Sequence, residues 1–137
     1  MKVLFICKGN WNRSQIAEAT YNKITGATDA TSAGTYVGIA DEPEGILIKD
    51  RLSQKHLDTL KSYGLDVSDK RSKRLTPKML KEAEIAISMA EEPYVPDFLR
   101  NDPKVIWWDV EDNMETEKTY QQVFGLVSNL IKQLNKS

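Results

Sequence analysis

Apolar positions along this chain fall into two alternating patterns. Val3-Leu4-Phe5-Ile6 is a short continuous apolar run with β-branched and aromatic members, ending at Cys7. Such a run predicts a strand buried on both faces, as in parallel sheets. From Ser14 to about Ile24, the residues Ile16, Ala17, Thr20 and Ile24 recur at helical spacing, and Gly26 predicts the stop. Residues 27–33 are rich in Thr and Ala and ambiguous by propensity. Gly34 punctuates them, and they are read as the second strand.

A helix is predicted over Ser53–Tyr63, with Leu57 and Leu60 on one side and Gly64 past its end. Thr76-Pro77 opens another, Thr as N-cap and Pro at the first helical position, with Met79, Leu80 and Ala83 facing inward. Ile85–Met89 and Val105–Trp108 read as the third and fourth strands. Between them, Glu91–Leu99 predicts a short helix broken or kinked by Pro93 and Pro96. Thr116 to about Asn135 is amphipathic: Tyr120, Val123, Phe124, Val127, Leu130, Ile131 and Leu134 keep the 3.6-residue period and form a core face. Tyr36–Asp50 is a long loop containing the acidic patch Asp41-Glu42-Pro43-Glu44, and loops of that length are often functional.

Strand–helix alternation across residues 1–137 predicts a single α/β domain. It has three layers, a four-stranded parallel sheet with helices on both faces. Ligands in such folds bind beyond the carboxyl ends of the strands. Two chemistry-bearing segments fall there, the one after the first strand and the one after Trp108.

Charge and composition narrow the classes. Nineteen basic and twenty acidic residues give a net charge of −1, with no basic excess for nucleic-acid binding. No apolar run approaches the ~20 residues of a membrane span, and the N-terminus lacks a secretory pattern. One cysteine excludes an intramolecular disulfide and a multi-cysteine metal site. A cytoplasmic protein with a reduced thiol is expected, with neither membrane nor nucleic acid as partner. The run Lys70–Arg74 carries four cations in five positions and reads as a solvated face, or as a device that steers anions.

The segment Cys7-Lys8-Gly9-Asn10-Trp11-Asn12-Arg13-Ser14 joins a strand to a helix through a glycine-containing loop. That arrangement aims backbone N–H groups and the positive helix end at one point, an anion site. A thiol at such a point beside a cation is favoured as the thiolate, which makes Cys7 a candidate nucleophile. The Arg13 fork can grip two phosphate oxygens and stabilise a phosphoryl group in transfer. Ser14 is placed to cap the helix and to donate to the sulfur. The plainer alternative is a buried structural cysteine. A Cys–His pair is the usual alternative for a thiol nucleophile, but the single histidine, His56, sits between Lys55 and Asp58 with nothing to place it near Cys7, and it is read as a surface or packing residue.

At these residues the chain resembles the low-molecular-weight protein tyrosine phosphatases, which share their fold with thioredoxin-coupled arsenate reductases. The signature Cys-x5-Arg-Ser, with Gly-Asn inside and Ala-Glu downstream, is met by Cys7, Gly9, Asn10, Arg13, Ser14, Ala17 and Glu18. Ser32-Ala33-Gly34-Thr35 matches a second motif. The resemblance implies that Cys7 attacks phosphorus and that Arg13 binds the phosphate with Lys8, Gly9, Asn10, Trp11, Asn12 and Ser14. It implies that Ser32 helps to hold the loop, and that no cofactor or metal is needed. The implied substrates are a phosphorylated protein or a small aryl phosphate, with inorganic phosphate and other oxyanions as inhibitors.

The same resemblance implies a general acid after the fourth strand. Aligning Trp108-Asp109 puts Asp112 there and Asn113 on the usual proline, with Asp109 and Glu111 as rivals. Several positions depart from the family. Asn12 stands where a second cysteine is common, Gln15 where proline is usual, and Ala90 where an Asp follows the third strand. Lys70 stands near the position where the family has a histidine that braces the loop. Met114 and Glu115 follow where tyrosines are frequent, which leaves Trp11 as the candidate aromatic wall. The expected function is a cysteine-dependent phosphomonoesterase of the protein-tyrosine-phosphatase type. The alternatives are an arsenate reductase using an external thiol and a weakly catalytic phosphate-binding regulatory module.

Overall fold

A computed structural model describes residues 1–39, 42–113 and 115–136. Asp41 of the acidic patch and Met114 lie outside them. Four parallel strands, β1 (Val3–Cys7), β2 (Ala30–Gly34), β3 (Ile85–Ser88) and β4 (Val105–Trp107), form a sheet in the order β2-β1-β3-β4. The helices are α1 (Arg13–Thr25), α2 (Gln54–Ser62), α3 (Pro77–Glu82), α4 (Asp97–Arg100) and α5 (Thr116–Leu134), with one 3₁₀ turn at Ile48–Asp50.

β1 is central and buried along its whole length, which is why its sequence is apolar without alternation. Val3, Phe5 and Cys7 face a core built with Ile16, Leu57, Leu60, Val123 and Val127 from α1, α2 and α5. Leu4 and Ile6 face the opposite core, with Leu80 of α3 and Leu99 of α4. The period-2 alternation of a strand thus divides one apolar run between two helical layers. Ser53 and Thr76 cap α2 and α3 through their side chains, and Gly26 ends α1 at φ 71°.

Four expectations are corrected. The second strand starts at Ala30, not residue 27. The helix expected over Glu91–Leu99 is reduced to α4, which begins only after Pro96. Pro93 and Pro96 each remove a backbone donor, and between them no helical turn can close. β4 stops at Trp107 and lies at the sheet edge, so Ile106 and Trp107 are 43% and 45% exposed. Phe124 is also exposed, on the rim of the α5 stripe.

The basic run is more than a solvated face. Arg71 pairs with Leu47 and Arg74 with Gly34, strapping the run to the loop at residue 47 and to the end of β2. Lys70 Nζ lies 3.5 Å and Lys73 Nζ 4.0 Å from the carboxylate of buried Glu18. Among the described residues, no helix is long and apolar enough to cross a membrane.

Candidate active site

The strand register pairs Cys7 with Gly34, Ile6 with Ser88 and Ser88 with Trp107, so the segments after all four strands leave the sheet at one edge. Past the sheet, the Thr35 and Tyr36 N–H groups donate to the Cys7 and Lys8 carbonyls, both at 2.9 Å, and fix the start of the first loop. Glycine is required at 34: a Cβ there would come 2.7 Å from the Lys8 carbonyl oxygen.

The loop turns on Asn10, whose φ of 56° is a left-handed conformation that asparagine tolerates. Its N–H reaches Cys7 Sγ at 3.3 Å and its Nδ2 donates to Ser14 Oγ at 2.9 Å. Ser14 Oγ therefore turns its own proton to Cys7 Sγ, 2.9 Å away. Two donors on one sulfur can stabilise negative charge there. Ser14 lies in the first turn of α1 and does not cap it. The N-cap is Asn12, which makes no side-chain cap bond. Helix starts leave their first N–H groups without intrahelical partners, and these are at hand for an anion.

A cavity of about 140 Å³ opens over the loop, lined by Cys7, Lys8, Gly9, Trp11, Asn12 and Arg13. Tyr36, Glu42 and Asp112 complete it. The side chains of Asn10 and Ser14, two residues expected at the phosphate, are bonded inside the loop. Trp11 folds over Gly9, where a Cβ would sit 2.2 Å from the indole nitrogen. Lys8 Nζ rests 3.9 Å above the Tyr94 ring and 5.7 Å from that of Tyr36. Arg51 holds Glu42 at 2.8 Å.

Arg13 is only 2% exposed. Its Nη1 donates to the Met89 carbonyl at 2.6 Å, to the Val110 carbonyl at 3.0 Å and to Glu91 at 2.9 Å. Asp112 Oδ2 is 3.7 Å from Nη2. Nε makes no hydrogen bond among the described residues although it is buried. Nη2 also donates to Glu91 Oε1 at 3.4 Å, so the unpartnered donor is Nε, on the Nε–Nη2 side by which a guanidinium can grip two oxygens at once. Burial alone opposes the charge, but Cys7, Glu91 and Asp112 outweigh it and raise the Arg13 pKa above its ordinary value.

Asp109, Glu111 and Asp112 are all exposed, and of the three only Asp112 lines this cavity. Ser32 donates to Glu18 at 2.8 Å, so its bond braces α1 rather than the loop. The loop is braced by the Lys73 backbone N–H on Asn10 Oδ1 at 2.8 Å and by Gln15 Nε2 on the Asn10 carbonyl at 3.2 Å. Lys70 contributes to neither.

One residue at the site, Glu91, escaped the sequence reading, and the place of another, His56, was not foreseen. Glu91 holds Arg13; its signal was an acid just beyond the carboxyl end of a central strand. Of the two readings of His56, surface or packing, burial favours packing, and its Nε2 is 3.1 Å from Asn12 Oδ1. It precedes Leu60 by four residues, which puts both on the inward face of α2. Burial pushes the His56 pKa down. The folded state therefore resists protonating it, and the unfolded chain binds the extra proton. Stability is full above the ordinary histidine range, about pH 6.5, and is lost as pH falls below it. Chemical denaturation between about pH 7 and 5 is expected to show a shallower pH slope in His56→Gln. An unchanged slope would contradict the burial argument.

A family model described as low molecular weight phosphotyrosine protein phosphatase matches residues 2–137. A low molecular weight protein tyrosine phosphatase from T. tengcongensis is 32% identical, with 97% of this chain and 99% of that one covered and a TM-score of 0.74. A thioredoxin-dependent arsenate reductase from Corynebacterium glutamicum is 26% identical, with coverage of 98% and 61% and a TM-score of 0.72. The YwlE arginine phosphatase is 21% identical, with coverage of 100% and 97% and a TM-score of 0.75, a likeness of fold alone. No curated protein sequence matches.

Proposed function

The chain belongs to the low molecular weight phosphotyrosine protein phosphatase family, and from that premise we propose that it hydrolyses phosphate monoesters of the aryl type through Cys7. The observation that carries this reading is the sulfur itself. It accepts hydrogen bonds from Ser14 Oγ and the Asn10 N–H at the mouth of a cavity that it shares with the Arg13 guanidinium.

The chemistry follows from the placement. The Cys7 thiolate attacks phosphorus, forming an S–P bond as the ester P–O bond breaks. Asp112 in its acid form gives its proton to the leaving oxygen, which departs as the alcohol or phenol. Water then attacks phosphorus, Asp112 takes the water's proton, and the S–P bond breaks to release phosphate and the thiolate. Throughout, the Nε–Nη2 edge of Arg13 and the amides at the start of α1 hold the non-bridging oxygens, where charge is greatest. Trp11 and Tyr36 give the cavity apolar walls suited to a phenyl ring, which supports phosphotyrosine over aliphatic phosphoesters.

The test is a panel of p-nitrophenyl phosphate, phosphotyrosine peptide, phosphoarginine and arsenate with an external thiol. Phosphoarginine and arsenate enter because proteins of this fold act on them. The aryl substrates are expected to turn over best. Asp112→Ala is expected to lower kcat by about 10²–10³-fold while the inhibition constant for phosphate stays within about twofold. Thiol consumption driven by arsenate, without ester hydrolysis, would replace this reading with that of a reductase. Phosphate binding without any turnover would leave a binding module.

A further inference from the structure

We propose that His56 is a positioning residue: through Asn12 it sets the Asp112 loop over the phosphate loop. The inference rests on the reading of Asp112 as proton donor. His56 lies on α2, is 3% exposed, and has its Nε2 3.1 Å from Asn12 Oδ1. Asn12 in turn donates Nδ2 to the Asn113 carbonyl at 3.2 Å. Asn113 is bonded to Asp112 in sequence and is pinned on its other side, its Oδ1 accepting the Glu115 N–H at 2.9 Å and the Thr119 hydroxyl at 3.3 Å.

The amide of Asn12 has one accepting and one donating end. With Nδ2 committed to Asn113, Oδ1 must face the histidine, and Nε2 carries the ring proton. The imidazole thus fixes the rotation of an amide whose far end holds the acid loop. Asn12 also precedes Arg13, so the same amide refers the acid loop to the helix start that holds the phosphoryl oxygens. Without His56 the amide is free to turn, and the Asn113 carbonyl loses its tether. A displacement near 1 Å at a reacting group costs up to about 10²-fold, and it falls on proton donation while oxyanion binding is spared.

The test measures kcat/KM for aryl phosphates from dinitrophenyl, which needs little protonation, to phenyl phosphate, which needs much. The phenyl-to-dinitrophenyl ratio is taken within each variant, so loss of folded protein cancels. His56→Leu is expected to lower that ratio about tenfold, with phosphate inhibition unchanged. His56→Gln, which keeps an N–H donor, should restore most of it. In an Asp112→Ala background His56→Leu should change the ratio no further. A normal ratio in His56→Leu, beside a lowered one in Asp112→Ala, overturns this inference alone. A normal ratio in Asp112→Ala overturns the proton donor, and this inference with it.

Discussion

Cys7→Ser is expected to fold, to bind inorganic phosphate as the parent does, and to hydrolyse aryl phosphates on the order of 10⁴-fold more slowly or not at all. The substitution exchanges sulfur for a smaller oxygen. Both donors that meet the sulfur, the Ser14 hydroxyl and the Asn10 N–H, can meet that oxygen too. No buried polar group is orphaned, so the melting temperature should shift little. The Nε–Nη2 edge of Arg13 and the start of α1 are untouched, so the anion site survives. What is lost is the nucleophile, because a seryl hydroxyl stays protonated at neutral pH and forms no anion to attack phosphorus. Release of p-nitrophenol measures turnover, and a phosphate-dependent rise in melting temperature measures binding. Turnover within tenfold of the parent would remove Cys7 from the reaction.

That this experiment can be framed from sequence reflects how local the chemistry is. Eight consecutive residues, Cys7 to Ser14, hold the sulfur, the guanidinium and the loop between them, and the apolar run before them fixes which edge of the sheet they occupy. Asp112 was harder, with three carboxylates in four positions. All three are exposed, and what separates them is that Asp112 also lines the cavity over Cys7.

The supporting contacts were illegible for a physical reason: they run to main chain. Arg13 spends Nη1 on the carbonyls of Met89 and Val110, and Asn10 is braced by the Lys73 N–H. Every residue carries such groups, so no residue type marks them. The bracing histidine that the resemblance implies near Lys70 is absent from the sequence, and Asn10 is held by a backbone donor and Gln15. His56 was hidden differently. Helical spacing tells which face of α2 turns inward, but not that the phosphate loop lies across from it. Proline was the reverse case: Pro93 and Pro96 announced a break, and the break proved to remove most of the expected helix.

Arg13→Lys should abolish activity by either of two routes, unlike Cys7→Ser. An ammonium offers a point charge with tetrahedral donors, and no planar edge that can meet two oxygens together. Losing the Nε–Nη2 pair removes donors aimed at charge that grows in the transition state, worth about 10²–10³-fold in kcat for a single donor. Phosphate inhibition should weaken as well, because the same edge serves the ground state. The second effect is structural. Nη1 now satisfies two buried carbonyls and Glu91, tying the segments after β3 and β4 to α1. A lysine reaching for the oxyanion abandons them, at a cost of about 1–3 kcal/mol for each buried acceptor left unpaired. A lysine that stays with the carbonyls instead preserves stability and forfeits the phosphate. Both routes destroy activity, and thermal melts with and without phosphate tell them apart. A melting temperature several degrees lower that still rises on adding phosphate marks the first; an unchanged one that ignores phosphate marks the second. Activity and phosphate response both within tenfold of the parent would show that a bare positive charge suffices, and the geometric role assigned to the fork would fall.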